Sequence, residues 1–293
     1  MSPCRFERKL CPGTFFICSP HCAASMLRYR HSYAPGGLMK RFVVLLYGVV
    51  CYAVFFASFL YGIGFLGNVA VPTSIDAELT GTLSQALIID IALLGLFALQ
   101  HSIMARPAFK RWWTRIVPVA AERSTYVLFS SLALILLFWA WRPIGAVIWD
   151  VQNETGRIAI YAGYAFGWAL LLVATFLINH FDLFGLRQVW LYFRKKPYAE
   201  LAFRTPSLYK VMRHPIYVGW LCIFWCAPTM TAAHLLFALM TTAYILIALK
   251  LEERDLIAAF PEYADYRRRV PAFLPFRLRR VSPTVAATRT VTR

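Results

Sequence analysis

From Val218 to Leu249 the chain runs for 32 residues without an Asp, Glu, Lys or Arg. Phe42 to about Leu66, Ser124 to about Trp141 and Ile158 to Asn179 are equally free of charge. Ser84 to about Ala105 carries one acid, Asp90. Runs of this length suit helices that cross about 30 Å of hydrocarbon, where every backbone amide must be satisfied within its own segment. A membrane β-barrel would instead alternate apolar and polar residues over about ten positions. Composition agrees: 59% of residues are hydrophobic and 15% charged, against about 45–50% and about 25% in soluble domains.

The chain is therefore expected to be an all-α integral membrane protein. It divides into four long transmembrane helices, a C-terminal helical hairpin and a cytoplasmic C-terminal helix. The hairpin has one leg from Pro215 to about Ala227, a break at Pro228, and a second leg from about Ala232 to Leu249. The first leg is short for a full crossing, which leaves open whether the hairpin reaches the far face. From Glu252 to Pro275 the sequence reads as a separate polar helix with Phe260-Pro261 inside it. Residues 1–38 are expected to be a dispensable or disordered extension, residues 39–275 the membrane domain, and residues 276–293 a disordered tail.

The net charge is +17. Lys and Arg collect in the N-terminus, the 106–123 and 181–213 loops and the tail, whereas the 67–83 loop and the hairpin tip have none. Cations that follow the spans in this way set orientation and meet anionic lipid headgroups, so membrane lipids rather than nucleic acid are the expected partner. The same asymmetry places both termini in the cytoplasm, at what is expected to be a bacterial inner membrane. Seven cysteines, four of them at Cys4, Cys11, Cys18 and Cys22, form no paired pattern for disulfides or zinc.

Ionisable residues at membrane depth are functional candidates. Asp90 could pair with a cation on a neighbouring helix or line a cavity. His101, His180 and His214 are expected at one membrane level, with Asp182 beside His180. Interfacial snorkelling is the bland alternative for His101 and helix-end capping for His180. With no His-x-x-x-His spacing among them, no metal is expected.

Arg213-His214-Pro215-x-Tyr217-x-Gly219 is more specific. Pro215 suits a first helical turn, which leaves Arg213 and His214 at an amide-rich helix start able to take a carboxylate. Gly219 allows close approach. Glu252 and Glu253, across the hairpin, can accept from a ribose or attract an ammonium. An anion site beside an acidic site fits a zwitterionic ligand; the simpler alternative is an Arg213–Glu253 ion pair closing the hairpin.

These motifs, with Glu252-Glu253-Arg254-Asp255-Leu256, Phe260-Pro261-Glu262-Tyr263-x-x-Tyr266 and Val270-Pro271, resemble the isoprenylcysteine carboxyl methyltransferase and phospholipid methyltransferase superfamily. Gln100-His101-Ser102-Ile103-Met104-Ala105-Arg106-Pro107, Glu122-Arg123-Ser124-x-Tyr126 and Asn179 to Arg187 look like its methanethiol S-methyltransferase branch, adjacent to NnrU-like proteins. The resemblance covers about Met39 to Pro275. It implies S-adenosylmethionine held by the part from about residue 204 to 275, through Arg213, His214, Pro215, Tyr217, Gly219, Glu252 and Glu253. It also implies a small thiol substrate, methanethiol, converted to dimethyl sulfide.

A thiol reacts as its thiolate, so a base is needed. The candidates are His101, His180 and Asp182, with Arg187 or the donor sulfonium steadying the thiolate. His180 paired with Asp182 is the expected arrangement, and that pairing requires a non-helical turn. Trp168, Phe181 and Tyr217 are expected to wall the pocket. Rival readings are methylation of another thiol, a lipid amine or an isoprenylcysteine, and an NnrU-like protein without methyltransferase activity.

Overall fold

The computed structural model describes residues 36–77, 81–199, 201 and 203–273. The N-terminal extension up to residue 35, with its four cysteines, and the C-terminal tail lie outside the described residues. Five helices among the described residues are long and apolar enough to cross a membrane. They are α1 (Leu38–Gly67), α2 (Leu83–Ala105), α4 (Glu122–Ala140), α5 (Glu154–Ile178) and α9 (Ala232–Ala259). Shorter helices follow them at one end: α3 (Pro107–Trp113) after α2, then α6 (His180–Leu183) and α7 (Leu186–Phe193) after α5. The protein is an all-α multi-pass membrane protein.

Helix starts at the opposite end are written in polar side chains. Thr82 and Gln85 form a reciprocal capping box on α2. Asn153 accepts from the Gly156 amide at the start of α5, and Thr231 accepts from the His234 amide at the start of α9. Each supplies an acceptor to an amide that has no partner inside its helix. Many large apolar side chains, among them Val50, Ile88, Trp139 and Phe176, stand exposed on the helices. In a membrane that surface is the lipid-facing one.

The hairpin reaches the far end, and it does so with less helix than expected. α8 (Pro215–Trp225) rises only about 16 Å at 1.5 Å per residue. The chain then extends through Cys226 to the short strand β2 (Thr229–Thr231), which pairs antiparallel with β1 (Val147–Asp150) in the α4–α5 connection. Extended backbone covers about 3.3 Å per residue, twice the helical rise, and so completes the crossing. Its amides and carbonyls are satisfied within the protein: Val151 N donates to Pro228 O at 3.0 Å, and Trp149 Nε1 to Ala227 O at 3.1 Å. Irregular backbone at this depth is tolerated on that condition.

The second leg also differs from expectation. α9 does not end near Leu249 but continues to Ala259, so Glu252, Glu253 and Asp255 belong to the membrane helix itself. Only after Phe260 does the chain turn into α10 (Pro261–Arg269), where Pro261 takes the first helical position. A run of charged residues need not end a helix when its members find buried partners, as Glu252 does in Tyr217 and Glu253 in Arg213 and His214.

Glycines bring α8 onto α5. A Cβ on Gly219 would stand 2.9 Å from Gly167 O, and one on Gly167 would stand 2.9 Å from Gly219 O. Gly163, one turn earlier, faces the Cys226 side chain, whose Sγ lies 2.9 Å from where a Cβ would stand. Close backbone approach through small residues is the membrane solution to helix packing. Asp90, fully buried in α2, accepts from the Arg142 backbone amide at 2.9 Å. It caps the chain break after α4 and makes no side-chain ion pair with Arg142.

Candidate active site

The hairpin motifs meet. Arg213 donates from Nε to Glu253 Oε1 at 2.7 Å, with Nη2 at 2.6 Å from the same oxygen. Its Nη1 donates to the carbonyls of Arg267 and Val270, which ties the helix after α9 back onto the site. His214 Nε2 donates to Glu253 Oε1 at 3.2 Å, and Tyr217 donates to Glu252 Oε2 at 2.6 Å. The His214 and Tyr217 rings stack 5.2 Å apart. Pro215 opens α8 and places Tyr217 on its first turn, while Gly219 serves the α5 contact. The Arg213–Glu253 ion pair is therefore present, and it does not use up the cluster.

Several buried atoms here have no hydrogen-bond partner among the described residues. They include Glu252 Oε1, His214 Nδ1, and the hydroxyls of Tyr209 and Tyr263. Burial, together with the nearby charge of Glu252 for Tyr209 and of Glu253 and Glu252 for Tyr263, pushes both tyrosine hydroxyls well above their ordinary range, so they remain donors. Two donors, a carboxylate oxygen and an imidazole nitrogen without partners are what a ligand rich in hydroxyl, amine and carboxylate groups would satisfy. Buried polar atoms left unpaired each cost about 1–3 kcal/mol, so their grouping calls for an explanation. The donor set fits S-adenosylmethionine.

Beside this cluster lies a cavity of about 210 Å³. Ile216, which precedes Tyr217, lines it, as do Tyr244 and Ile245, two turns before Glu252 on α9. His101, Arg123, Tyr126 and Ser130 mark its polar end. The Tyr126 hydroxyl is 2.7 Å from His101 Nε2, and Ser130 Oγ is 3.1 Å from His101 Nδ1. Arg123 lies over the Tyr126 ring and donates from Nε to Leu183 O at 3.0 Å. The remaining wall is mostly apolar and aromatic, with Trp168 among it as expected.

His180 and Asp182 are close to this chamber but not paired with each other. The segment is helical, and residues two apart on a helix face different ways. His180 is hydrogen-bonded through Nε2 to the Tyr52 hydroxyl at 2.8 Å and through Nδ1 to Thr175 Oγ1 at 3.0 Å, with Phe176 stacked on its ring at 4.3 Å. Burial lowers its pKa below the usual imidazole value, so it is neutral near pH 7. Asp182 accepts from Arg187 Nη1 at 2.6 Å and from the Tyr198 hydroxyl at 3.3 Å. Asp182 and Arg187 thus fasten the segment between α5 and α7. Phe181 is half exposed and Tyr217 turns to Glu252, so neither walls the chamber as expected.

Arg123, Tyr126, Ser130 and Tyr244 had no assigned role in the sequence reading. The only hint was the local motif Glu122-Arg123-Ser124-x-Tyr126 and its position at the same predicted level as His101. Glycine at 185 is another such residue: its φ is +88° and a Cβ there would meet Ser124 N at 2.7 Å, which holds α4 against the α6–α7 turn.

No family model matches the chain, and no solved structure matches it. Curated relatives do. A methanethiol S-methyltransferase of Crocosphaera subtropica is 57% identical over 239 residues, covering 81% of this chain and 94% of that protein. One from Mycobacterium tuberculosis is 54% identical over 239 residues, covering 81% of this chain and 98% of that protein. Nurim of Bos taurus is 30% identical over 190 residues, covering 60% and 72%. With identity this high over almost the whole length of two such enzymes, the chain belongs to the methanethiol S-methyltransferase family.

Proposed function

We propose that the protein transfers the methyl group of S-adenosylmethionine to methanethiol, giving dimethyl sulfide, at the cytoplasmic side of a bacterial inner membrane. The observation that carries this reading is the contact between two unlike compartments. A buried polar cluster with unpartnered donors and acceptors adjoins an apolar chamber that has one imidazole at its end.

S-adenosylmethionine, when bound, supplies a methyl group already activated by a cationic sulfur. Arg213, His214, Tyr217, Glu252 and Glu253 bind and orient it, with Tyr209 and Tyr263 as further donors. Glu252 Oε1 accepts from the ligand, and Glu253 holds Arg213 and His214 in place. The chamber wall excludes water and presents the thiol in line, which is the larger part of what such a transfer requires. His101 takes the thiol proton, and Tyr126 and Ser130 hold the imidazole in position. Arg123 provides positive charge beside the developing thiolate. His180 positions the α5–α6 corner, and Asp182 with Arg187 braces it.

The Lys- and Arg-rich loops lie at the end of the helices that carries the site, which supports the cytoplasmic placement. The direct test is the purified protein supplied with S-adenosylmethionine and methanethiol, with dimethyl sulfide measured in the headspace. Normal binding of S-adenosylmethionine with no dimethyl sulfide would reject methanethiol as acceptor; no binding at all would reject the methyltransferase reading.

A further inference from the structure

The chamber is larger and longer than a one-carbon thiol requires. An apolar cavity of about 150 Å³ admits benzene, and this one measures about 210 Å³. It is also elongated. Arg123 and Phe138, both in its wall, stand about 22 Å apart along α4 at 1.5 Å per residue. Its ionisable groups, His101, Arg123 and Tyr126, gather at one end, apart from Tyr244 on the α9 side.

Beyond that end the hydroxyls of the wall ask for no polar partner, and among the described residues Trp168 Nε1 is the wall's buried donor without one. Ser58 donates to Phe55 O, Ser131 to Val127 O and Thr241 to Phe237 O, each hydroxyl turned back on its own helix. What remains facing inward is hydrocarbon and aromatic ring, including Phe59, Phe138, Trp168 and Phe237. Gly62 leaves part of this space open. A Cβ on it would meet Phe138 and Trp168 only at ordinary contact distances of 3.4 and 3.9 Å.

We infer that the protein also methylates unbranched alkanethiols of several carbons, with the sulfur at His101 and the alkyl chain lying toward Phe138 and Phe237. The inference rests on the methyltransferase reading above. The S–H bond breaks and its proton passes to His101 and then to water. The thiolate sulfur forms the new bond to the methyl carbon as the methyl–sulfonium bond of S-adenosylmethionine breaks. That electron pair stays on the donor sulfur, leaving a neutral thioether and an alkyl methyl sulfide.

The test compares methanethiol, butane-1-thiol and hexane-1-thiol as acceptors for the full-length protein in detergent. The longer thiols are expected to give kcat/KM within tenfold of methanethiol. A fall of more than tenfold, with methanethiol still methylated, would overturn the inference and leave the functional reading standing.

A second measurement needs no turnover. Hexyl methyl sulfide, added without S-adenosylmethionine, is expected to raise Tm by binding the folded state. Gly62→Leu, and independently Ser131→Leu, is expected to abolish that shift and to lower the hexane-1-thiol to methanethiol rate ratio at least tenfold. Neither variant removes a bond between helices. A shift equal in the wild type and both variants would show that the sulfide binds elsewhere and would overturn the inference. If methanethiol itself is not methylated, the functional reading fails, and the Tm comparison alone decides whether the chamber takes an alkyl chain.

Discussion

Tyr217 and Glu252 meet at 2.6 Å across the hairpin, hydroxyl to carboxylate, with side chains 1% and 0% exposed. One comes from the first turn of the short helix and the other from the sixth turn of the long one. Their hydrogen bond joins the two legs at the level where the unpartnered atoms collect.

Tyr217→Phe removes the donor and leaves both Glu252 oxygens buried without a protein hydrogen bond. The expected cost is about 1–3 kcal/mol of stability. Affinity for S-adenosylmethionine should fall with it, because Glu252 loses its fixed orientation. Thermal unfolding and calorimetric titration measure the two effects separately. An unchanged affinity would take Glu252 out of the binding site.

Arg213 is more demanding. Its guanidinium serves Glu253 and two backbone carbonyls at once. Arg213→Ala removes one side of a buried ion pair, a change that typically costs about 3–5 kcal/mol. The partly exposed Arg267, 3.1 Å from Glu253 Oε2, should hold the loss toward the lower end. Arg213→Lys keeps the charge but not the planar fork, and should recover less than half of the stability. Equal stability of Lys and Arg variants would show that charge alone matters here.

His101 and His180 should separate by what they damage. His101→Ala is expected to lower kcat by about 10²–10⁴ while leaving the affinity for S-adenosylmethionine intact, as loss of a general base does. His180→Ala should lower Tm through its lost bonds to Tyr52 and Thr175 and affect turnover less. The opposite split, with His180→Ala inactive and fully stable, would return the base role to His180.

Stability should also depend on pH through two separate groups. His180 has its pKa lowered by burial, so the unfolded chain binds a proton more readily than the folded one. Its contribution is complete above the ordinary imidazole pKa of about 6.5 and is lost as pH falls below it. Asp76 lies at the other end of the molecule, against His234 Nδ1 at 3.1 Å. Burial opposes its charge, but bonds from His234, Thr231 and Asn68 prevail and hold its pKa below the ordinary carboxylate value. That contribution is present above about pH 3.9 and is lost only in stronger acid. Tm recorded from pH 8 to 5 should fall with acidity in the wild type and less steeply in His180→Asn.

Much of the architecture is legible in the residues. Uncharged runs of membrane length marked the spans to within a few positions, because hydrocarbon admits little else. The Arg213 and Glu252-Glu253 motifs were legible as partners because helices that form a hairpin bring their ends together. The bonds that decide the chamber were not. Tyr52 reaches His180 across 128 residues and Asp76 reaches His234 across 158. Such pairs depend on helix rotation, and apolar helices facing lipid on one side and protein on the other show little amphipathic pattern. The end of α9 was misplaced for a related reason. Glu252 and Glu253 resemble a solvated helix end until their buried partners are seen.

The clasp of β1 and β2 gives α9 a fixed origin, and the helix then works as a ruler. Thr231 is held by Val147 on the facing strand, and Glu252 follows about 30 Å further along. Each residue on that helix also counts as about 100° of turn. Deleting a single residue between Met240 and Leu249 would lift Glu252 by only about 1.5 Å but swing it away from Tyr217. Deleting seven would nearly restore its direction, yet leave it about 10 Å short. The chain between clasp and site therefore tolerates changes of side chain far more readily than changes of length.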